Sequence, residues 1–598
     1  MIRYKLMLLI ALAAIPFHAH AQQYPHLPVQ PVWKGKSEKW LLPASDAQAT
    51  PFEKSKGMQS ASYDSMMRFY EKLAARFPQV RLKKMGETSG KQELFAILIS
   101  ENADALVRLH RNPNRPLVVF QSGIHSGEID GMDAGMIFIR EVLQGRAKSL
   151  LNKIDIIVIP VLNRDGLERL SSTNRINQNG PELQGWRSNA RNLNLNRDFM
   201  KIDSPEVLAV VAMLQRMKPE LYVDIHVTDG ADYQYDITYG GMHTVPYSPE
   251  ISKWLEGSLR PFIDGRLQAE GHIPGPLVFL KNEQFPDSGN LNYRFSGRFS
   301  HAYGDIAHIP SLLIENHSLK PFKQRVCGTI VLMHALCEKV ISDYAQITAH
   351  RNSDILENST QVPIEFTYPK IARDTAIFKA VQHRMVYSEI AGDSVITWNA
   401  KPYDVKSPIL RQDSVLKSIP KPEGFFVPKM YTEIIERLLW HGIELQTIRH
   451  DTSVTVQVGY FESITSAKAS NQGRYRMSGT VRWNQEYLEL PRGSVFVSTA
   501  QDCGILATLL LHPDSPESFF QWGFFPELTE RTEYFEAYAM APLAEAMAKK
   551  HPEWKAEFDR KCASDAAFRS NPDARLRWWY ERSDYHDAHY LRYPIAVK

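Results

Sequence analysis

His125 and Glu128 stand three residues apart in the run Phe120-Gln-Ser-Gly-Ile-His-Ser-Gly-Glu-Ile-Asp-Gly131. An imidazole nitrogen and a carboxylate oxygen in a Gly-Ser-rich turn suit a zinc ion. The pair alone is a common pattern with little specificity. A catalytic zinc takes three protein ligands and keeps its fourth position for water. His226, in Val-Asp-Ile-His226-Val-Thr, is the best third ligand. Hydrolysis also needs a proton acceptor and a cation where negative charge develops on oxygen. Glu315, which closes Ser311-Leu-Leu-Ile, offers the first. The loop Trp186–Phe199, with Arg187, Arg191 and Arg197 among four asparagines, offers the second. Each residue by itself has a duller reading, as a core histidine, a strand-end glutamate or a solvated basic loop. Together they describe one reaction. Other candidates are weaker. Ser126 lacks the Gly-x-Ser-x-Gly spacing of a nucleophile elbow, and no Cys or Glu cluster supports His586 and His589 as metal ligands.

The flanking patterns say how these groups are positioned. Pro116–Gln121, Ile154–Leu162, Leu221–His226 and Ile309–Glu315 are short apolar runs of the buried-strand kind, and Glu93–Ile99 is another strand. Met132, Met136, Ile139 and Leu143 recur at steps of three and four, as do Met66, Tyr70, Leu73 and Phe77. Pro205–Met217 and Gln324–Tyr344 are predicted as further helices. Strands alternating with helices predict an α/β domain, with a mixed, mostly parallel central sheet flanked by helices. Its ligands belong beyond the carboxyl ends of the strands, where His125, His226 and Glu315 all fall.

The ordered set of His125-x-x-Glu128, Arg187, Asn196-Arg197, His226 and Glu315 resembles the carboxypeptidase A-like zinc carboxypeptidases over roughly residues 60–345. The resemblance implies one zinc ion held by His125, Glu128 and His226. It implies Glu315 as general base to a zinc-activated water, and Arg187 as the group that polarises the scissile carbonyl. It further implies that Asn196 and Arg197 bind the free C-terminal carboxylate of a peptide substrate. The family's mobile tyrosine falls on Tyr293 or Tyr303, with Tyr293 preferred. One departure is visible. Where the family often has an aspartate against the first zinc histidine, this chain has Asn194. A zinc amidase or deacylase, a cell-wall peptide hydrolase of the same fold, and a peptide-binding protein without activity are the competing functions. The pair Asn196-Arg197 and the filled catalytic positions argue against them.

At 598 residues the chain exceeds one ordinary core. The divisions expected are a signal peptide (1–22), an extended segment (23–60), the catalytic domain (61–350) and a C-terminal mixed α+β module (360–598). The signal peptide is argued from Arg3 and Lys5, the apolar stretch Leu6–Phe17 and the cleavage-like Ala19-His20-Ala21. It implies export to the periplasm or outside the cell, and no later stretch has the length of a transmembrane span. A formal charge of +3 gives no reason to propose nucleic acid as a partner. Cys327 and Cys337, ten residues apart on one predicted helix, are too far apart to bridge and are expected as free buried thiols.

Overall fold

The computed structural model describes residues 24–241, 246–357 and 359–598. The expected signal peptide lies outside them. Helix α1 (Tyr63–Arg76) is capped by Ser62, whose hydroxyl accepts from the Ser65 amide. Strands β1 (Val80–Glu87) and β2 (Glu93–Ile99) follow as an antiparallel hairpin. Strand β3 (Leu117–Ser122) leads through the His125 turn into helix α2 (Asp130–Gln144), and β4 (Asp155–Ile159) comes next. Helix α3 (Pro205–Met217) precedes β5 (Leu221–Val227). Strands β6 (Ile237–Gly240), β7 (Pro274–Pro276) and β8 (Asn290–Asn292) are short. Helix α4 (Ser300–Ile306), β9 (Ser311–Asn316) and helix α5 (Phe322–Leu356) complete the domain.

Eight strands form one sheet in the order β1-β2-β4-β3-β5-β9-β6-β7. The central four, β4-β3-β5-β9, are parallel. The chain leaves β3 toward β4 on one side and later returns to its other side as β5. The strand order therefore reverses at β3, and a crevice opens there at the carboxyl ends. The alternation of the strands divides the core. Val118 and Phe120 face one layer with α1, α2 and α5, while Leu117 and Val119 face the other with α3.

Helix α5 is longer than the pattern predicts, at 35 residues. Its first half is buried on all sides, which erases the helical period. Its second half, from Ala345 to Leu356, is polar and contains neither proline nor glycine to stop it. Residues 24–60 follow the surface with two short helical turns, Lys36–Trp40 and Pro51–Lys54. They are pinned to the domain. Phe52 is buried, and Glu53 forms a buried ion pair with Arg140 at 2.7 Å.

The C-terminal module begins with β10 (Gln361–Thr367), β11 (Asp374–Ser388), β12 (Asp393–Arg411) and β13 (Ser414–Pro420). Beyond these lies a six-stranded sheet whose strand pairs are all antiparallel, followed by helices between Ala537 and Tyr580. The helices gather Phe558, Trp578 and Trp579 into a core of their own. The division near residue 360 does not divide the rest of the core. Val362, Phe425, Leu438, Leu506 and Phe520 share one apolar cluster with Leu117, Val119, Ile157 and Leu214. The module is thus the cover of the sheet's second face. Strand β12 also adds β8 to its own edge, pairing Ile409–Arg411 in parallel with Asn290–Asn292. All four cysteines are free, with Cys327, Cys337 and Cys503 buried.

Candidate active site

The turn after β3 holds His125 and Glu128, and β5 holds His226 one residue from its end. All three are buried, and one ligand atom from each lies within 4.8 Å of the others. The two imidazoles are set alike. His125 Nε2 lies 2.9 Å from Asn194 Oδ1, and His226 Nε2 lies 2.9 Å from Asp224 Oδ2. With Nε2 of each ring against these acceptors, each Nδ1 faces Glu128. His226 Nδ1 is 3.0 Å from Glu128 Oε2 and His125 Nδ1 is 3.2 Å from Oε1. His125 Nδ1 has no hydrogen-bond partner although it is buried. Two nitrogens and a carboxylate, pre-oriented by acceptors behind them and with one donor atom unsatisfied, fit a zinc ion.

The fields in the site are strong. Burial alone would raise the Glu128 carboxyl, but His125 and Arg175 outweigh it and hold the group well below the usual carboxylate range. Burial works against charge on His226, yet Asp224 and Glu128 hold its pKa well above the ordinary value. Glu315 pairs with His226 across the β5–β9 ladder, and burial pushes its carboxyl up to about 8. Its Oε2 is buried without a hydrogen-bond partner.

Cations line the opposite side. Arg187 donates from Nη1 to Glu128 Oε1 at 3.1 Å and is 39% exposed in its side chain, so other N–H groups remain available. Arg197 follows Asn196 in the short turn Leu195–Arg197. Its Nη1 donates to the Asn196 carbonyl, and its guanidinium lies 4.0 Å from the centre of the Phe299 ring. Burial lowers its pKa to about 10. Among the described residues it has no carboxylate partner. Asn196 is buried, its amide oxygen accepting from Ser300 N at 2.9 Å and its amide nitrogen 3.4 Å from His226 Nε2. Tyr293 is half-exposed on the lip of a cavity beside the site. Tyr303 is fully buried, where its hydroxyl meets Gln215 and His441.

Two partners of the cluster escape the sequence reading. Asp224 is two residues before His226 on one strand, so both side chains share a face, and this period-two signal could have found it. Arg175, whose Nη1 is 3.0 Å from Glu128 Oε1 and whose Nη2 is 3.0 Å from Asp229, comes from an irregular loop with no such signal.

Residues 66–259 match the family described as zinc carboxypeptidase. The match assigns a zinc carboxypeptidase domain to this part of the chain. The matched stretch contains His125, Glu128, Arg187, Asn196, Arg197 and His226 and stops before Glu315. "Carboxypeptidase 2" of Trichophyton rubrum is similar at 20% identity over 440 residues, covering 68% of this chain and 74% of that protein. "Carboxypeptidase D" of Rattus norvegicus is 30% identical over 185 residues, which are 27% of this chain and 13% of that protein. The solved carboxypeptidase A of Helicoverpa armigera shares 21% identity, with a TM-score of 0.36 over 48% of this chain and 74% of that one. The family match and the curated carboxypeptidase relatives mark the protein as a metallocarboxypeptidase, a peptide hydrolase. Among the described residues no helix is long and apolar enough to cross a membrane.

Proposed function

We propose that the protein is an exported exopeptidase that releases the C-terminal residue of peptides at the His125–Glu128–His226 site. The observation that carries this reading is Arg197. It is a partly desolvated guanidinium beside the cluster with no carboxylate partner among the described residues, and a bidentate fit to a substrate carboxylate would complete it. Zinc, held by His125, Glu128 and His226, supplies when bound a Lewis acid and a water of lowered pKa. The residues of the chain do the rest. Arg197 and Asn196 fix the terminal carboxylate, and the Asn196 amide oxygen also holds the start of α4 through Ser300 N. Arg187 donates to the scissile carbonyl oxygen as charge grows on it. Glu315 takes the proton of the attacking water and passes it to the leaving amine. Tyr293 closes over the substrate from the cavity lip. Export is supported by the N-terminal charge, apolar stretch and small-residue site, and N-terminal sequencing of the mature protein tests it.

The decisive experiment compares one peptide with a free and with an amidated C-terminus, in wild type and in Arg197→Ala. The free peptide should be preferred by the wild type. Arg197→Ala should lose on the order of 1.5–3 kcal/mol on the free peptide while keeping its zinc. Equal cleavage of both peptides by the wild type would favour an amidase or endopeptidase instead.

A further inference from the structure

Asn194, the acceptor behind His125, is itself held from the C-terminal module. It caps the turn Leu195–Arg197. Its Oδ1 accepts from the Asn196 amide at 3.0 Å while standing 2.9 Å from His125 Nε2. Its carbonyl accepts from the Arg197 amide at 3.1 Å. One residue thus sets the ring of a candidate zinc ligand and the turn that presents Asn196 and Arg197. A cap residue has no partner within the turn for its own backbone N–H. In a capping box, a glutamate or glutamine three residues on supplies the acceptor. Here that place is taken by Arg197. The acceptor is instead Gln472 Oε1, 2.9 Å from Asn194 N and 278 residues later in the chain.

Gln472 sits at the tip of the hairpin that Thr452–Ser466 and Met477–Leu490 form in the six-stranded sheet. Asn471 and Arg474 exchange backbone hydrogen bonds around the two-residue turn Gln472-Gly473. Both turn residues have positive φ, 51° and 82°. Left-handed backbone is easy for Gly473. At the first position of such a turn the usual residues are Asn, Asp and Gly. A glutamine there is strained, and what it adds is a side chain long enough to reach Asn194. The tip is anchored beside that contact. Arg474 donates to both carboxylate oxygens of Asp203 at 2.7 Å, and a Cβ on Gly473 would lie 3.1 Å from Leu193 Cδ2. Further along the same segment, Arg437 and His441 hold the Lys201 and Met200 carbonyls at 2.7 and 2.9 Å. The module therefore clamps the chain from Asn194 to Asp203. Of these contacts, the Gln472 bond falls on the residue that touches His125.

We propose that Gln472 is a positioning residue for the zinc site: by accepting from Asn194 N, the C-terminal module fixes the oxygen that orients His125. This rests on the zinc reading of the His125–Glu128–His226 site above. The test is competition for zinc with a chelator on the full-length protein, run beside urea unfolding. Gln472→Gly removes the acceptor and relieves the left-handed strain. It should unfold at the wild-type urea concentration or above it, while zinc affinity falls about 3–10-fold, less than the roughly 10–100-fold for loss of a ligand's own acceptor. Gln472→Glu keeps an acceptor at the same reach and should restore zinc affinity to at least about half the wild-type value. Three results would overturn the proposal: unchanged zinc affinity in Gln472→Gly, a loss that Gln472→Glu does not restore, or a loss that comes only with a lower unfolding midpoint. If the wild type takes up no zinc, the zinc reading fails, and hydrogen exchange in the metal-free protein decides the positioning role. Gln472→Gly should then speed exchange of the Asn194 amide at least about tenfold, and an unchanged rate would overturn that role.

Discussion

His125 and His226 are oriented the same way by unequal acceptors. Asp224 presents a charged oxygen to His226, whereas Asn194 presents a neutral one to His125. A carboxylate behind an imidazole raises its basicity as a ligand. Asp224→Asn should therefore weaken zinc affinity by about 10–100-fold, and Asn194→Asp should strengthen it, both read by competition with a chelator. Unchanged affinity in both would show that these acceptors only steer the rings. Replacing His125 or His226 by alanine should abolish stoichiometric zinc. Glu315→Gln should keep zinc and bind product while turnover falls at least about 10²-fold. Loss of the metal along with activity would make Glu315 a ligand instead of a base. At this scale the site was largely legible. The residue types of the cluster, the Gly-Ser-rich turn that bears His125 and Glu128, and the strand-end positions of His226 and Glu315 are written in local sequence. Arg175 was not, because its approach to Glu128 depends on the path of a long irregular loop.

The elements that deliver these groups differ in how openly the sequence announces them. Strands β3, β5 and β9 are short apolar runs between polar turns, and their carboxyl ends meet as the alternation of strand and helix requires. Strand β8 has no such pattern. Its three residues, Asn290, Leu291 and Asn292, become a strand only because β12 offers an edge more than 115 residues later in the chain. That pairing fixes the segment bearing Tyr293. Gln412 reinforces it, accepting from Arg294 N and donating to the Phe366 carbonyl at 3.2 Å. Gln412→Ala removes two hydrogen bonds worth about 1 kcal/mol each. It should raise KM for peptides with little change in zinc content or in kcat. A fall in kcat at constant KM would mean that the segment acts on the chemical step and not on binding.

At the scale of the whole molecule, one apolar cluster crosses the expected division near residue 360. The cluster joining Leu117, Val119 and Leu214 to Phe425, Leu506 and Phe520 leaves an apolar sheet face bare if the chain is cut near residue 357. Such a fragment should be insoluble or lack a cooperative transition, whereas the full chain should lose both halves together. A charge cluster crosses the same seam. Asp203 meets Lys201 at 3.0 Å, Arg437 at 2.9 Å and Arg474 at 2.7 Å. Burial would raise the Asp203 pKa, but Arg474 and Lys201 outweigh it and hold the carboxyl well below its ordinary range. The stabilisation is therefore complete above the unfolded value, about 3.9, and is lost as pH falls through the folded one. Asp203→Asn should cost about 3–5 kcal/mol at neutral pH and flatten the acid dependence of urea unfolding below about pH 4. An unchanged acid limb would place that dependence elsewhere.

The free thiols turn this seam into a clock. Cys503 sits in it, with its sulfur 3.8 Å from Gln215 Oε1 on α3 and 3.9 Å from the His441 carbonyl. Cys327 and Cys337 lie on α5 beneath the sheet's other face, and Cys562 is partly open to solvent. A thiol-modifying reagent should mark Cys562 at once and the other three only when the protein around them opens. If the two halves separate before the sheet itself unravels, Cys503 is modified ahead of Cys327 and Cys337. If the molecule opens in one step, all three are modified at a single rate. The order of modification, read by mass, would time the parting of the seam without any added probe.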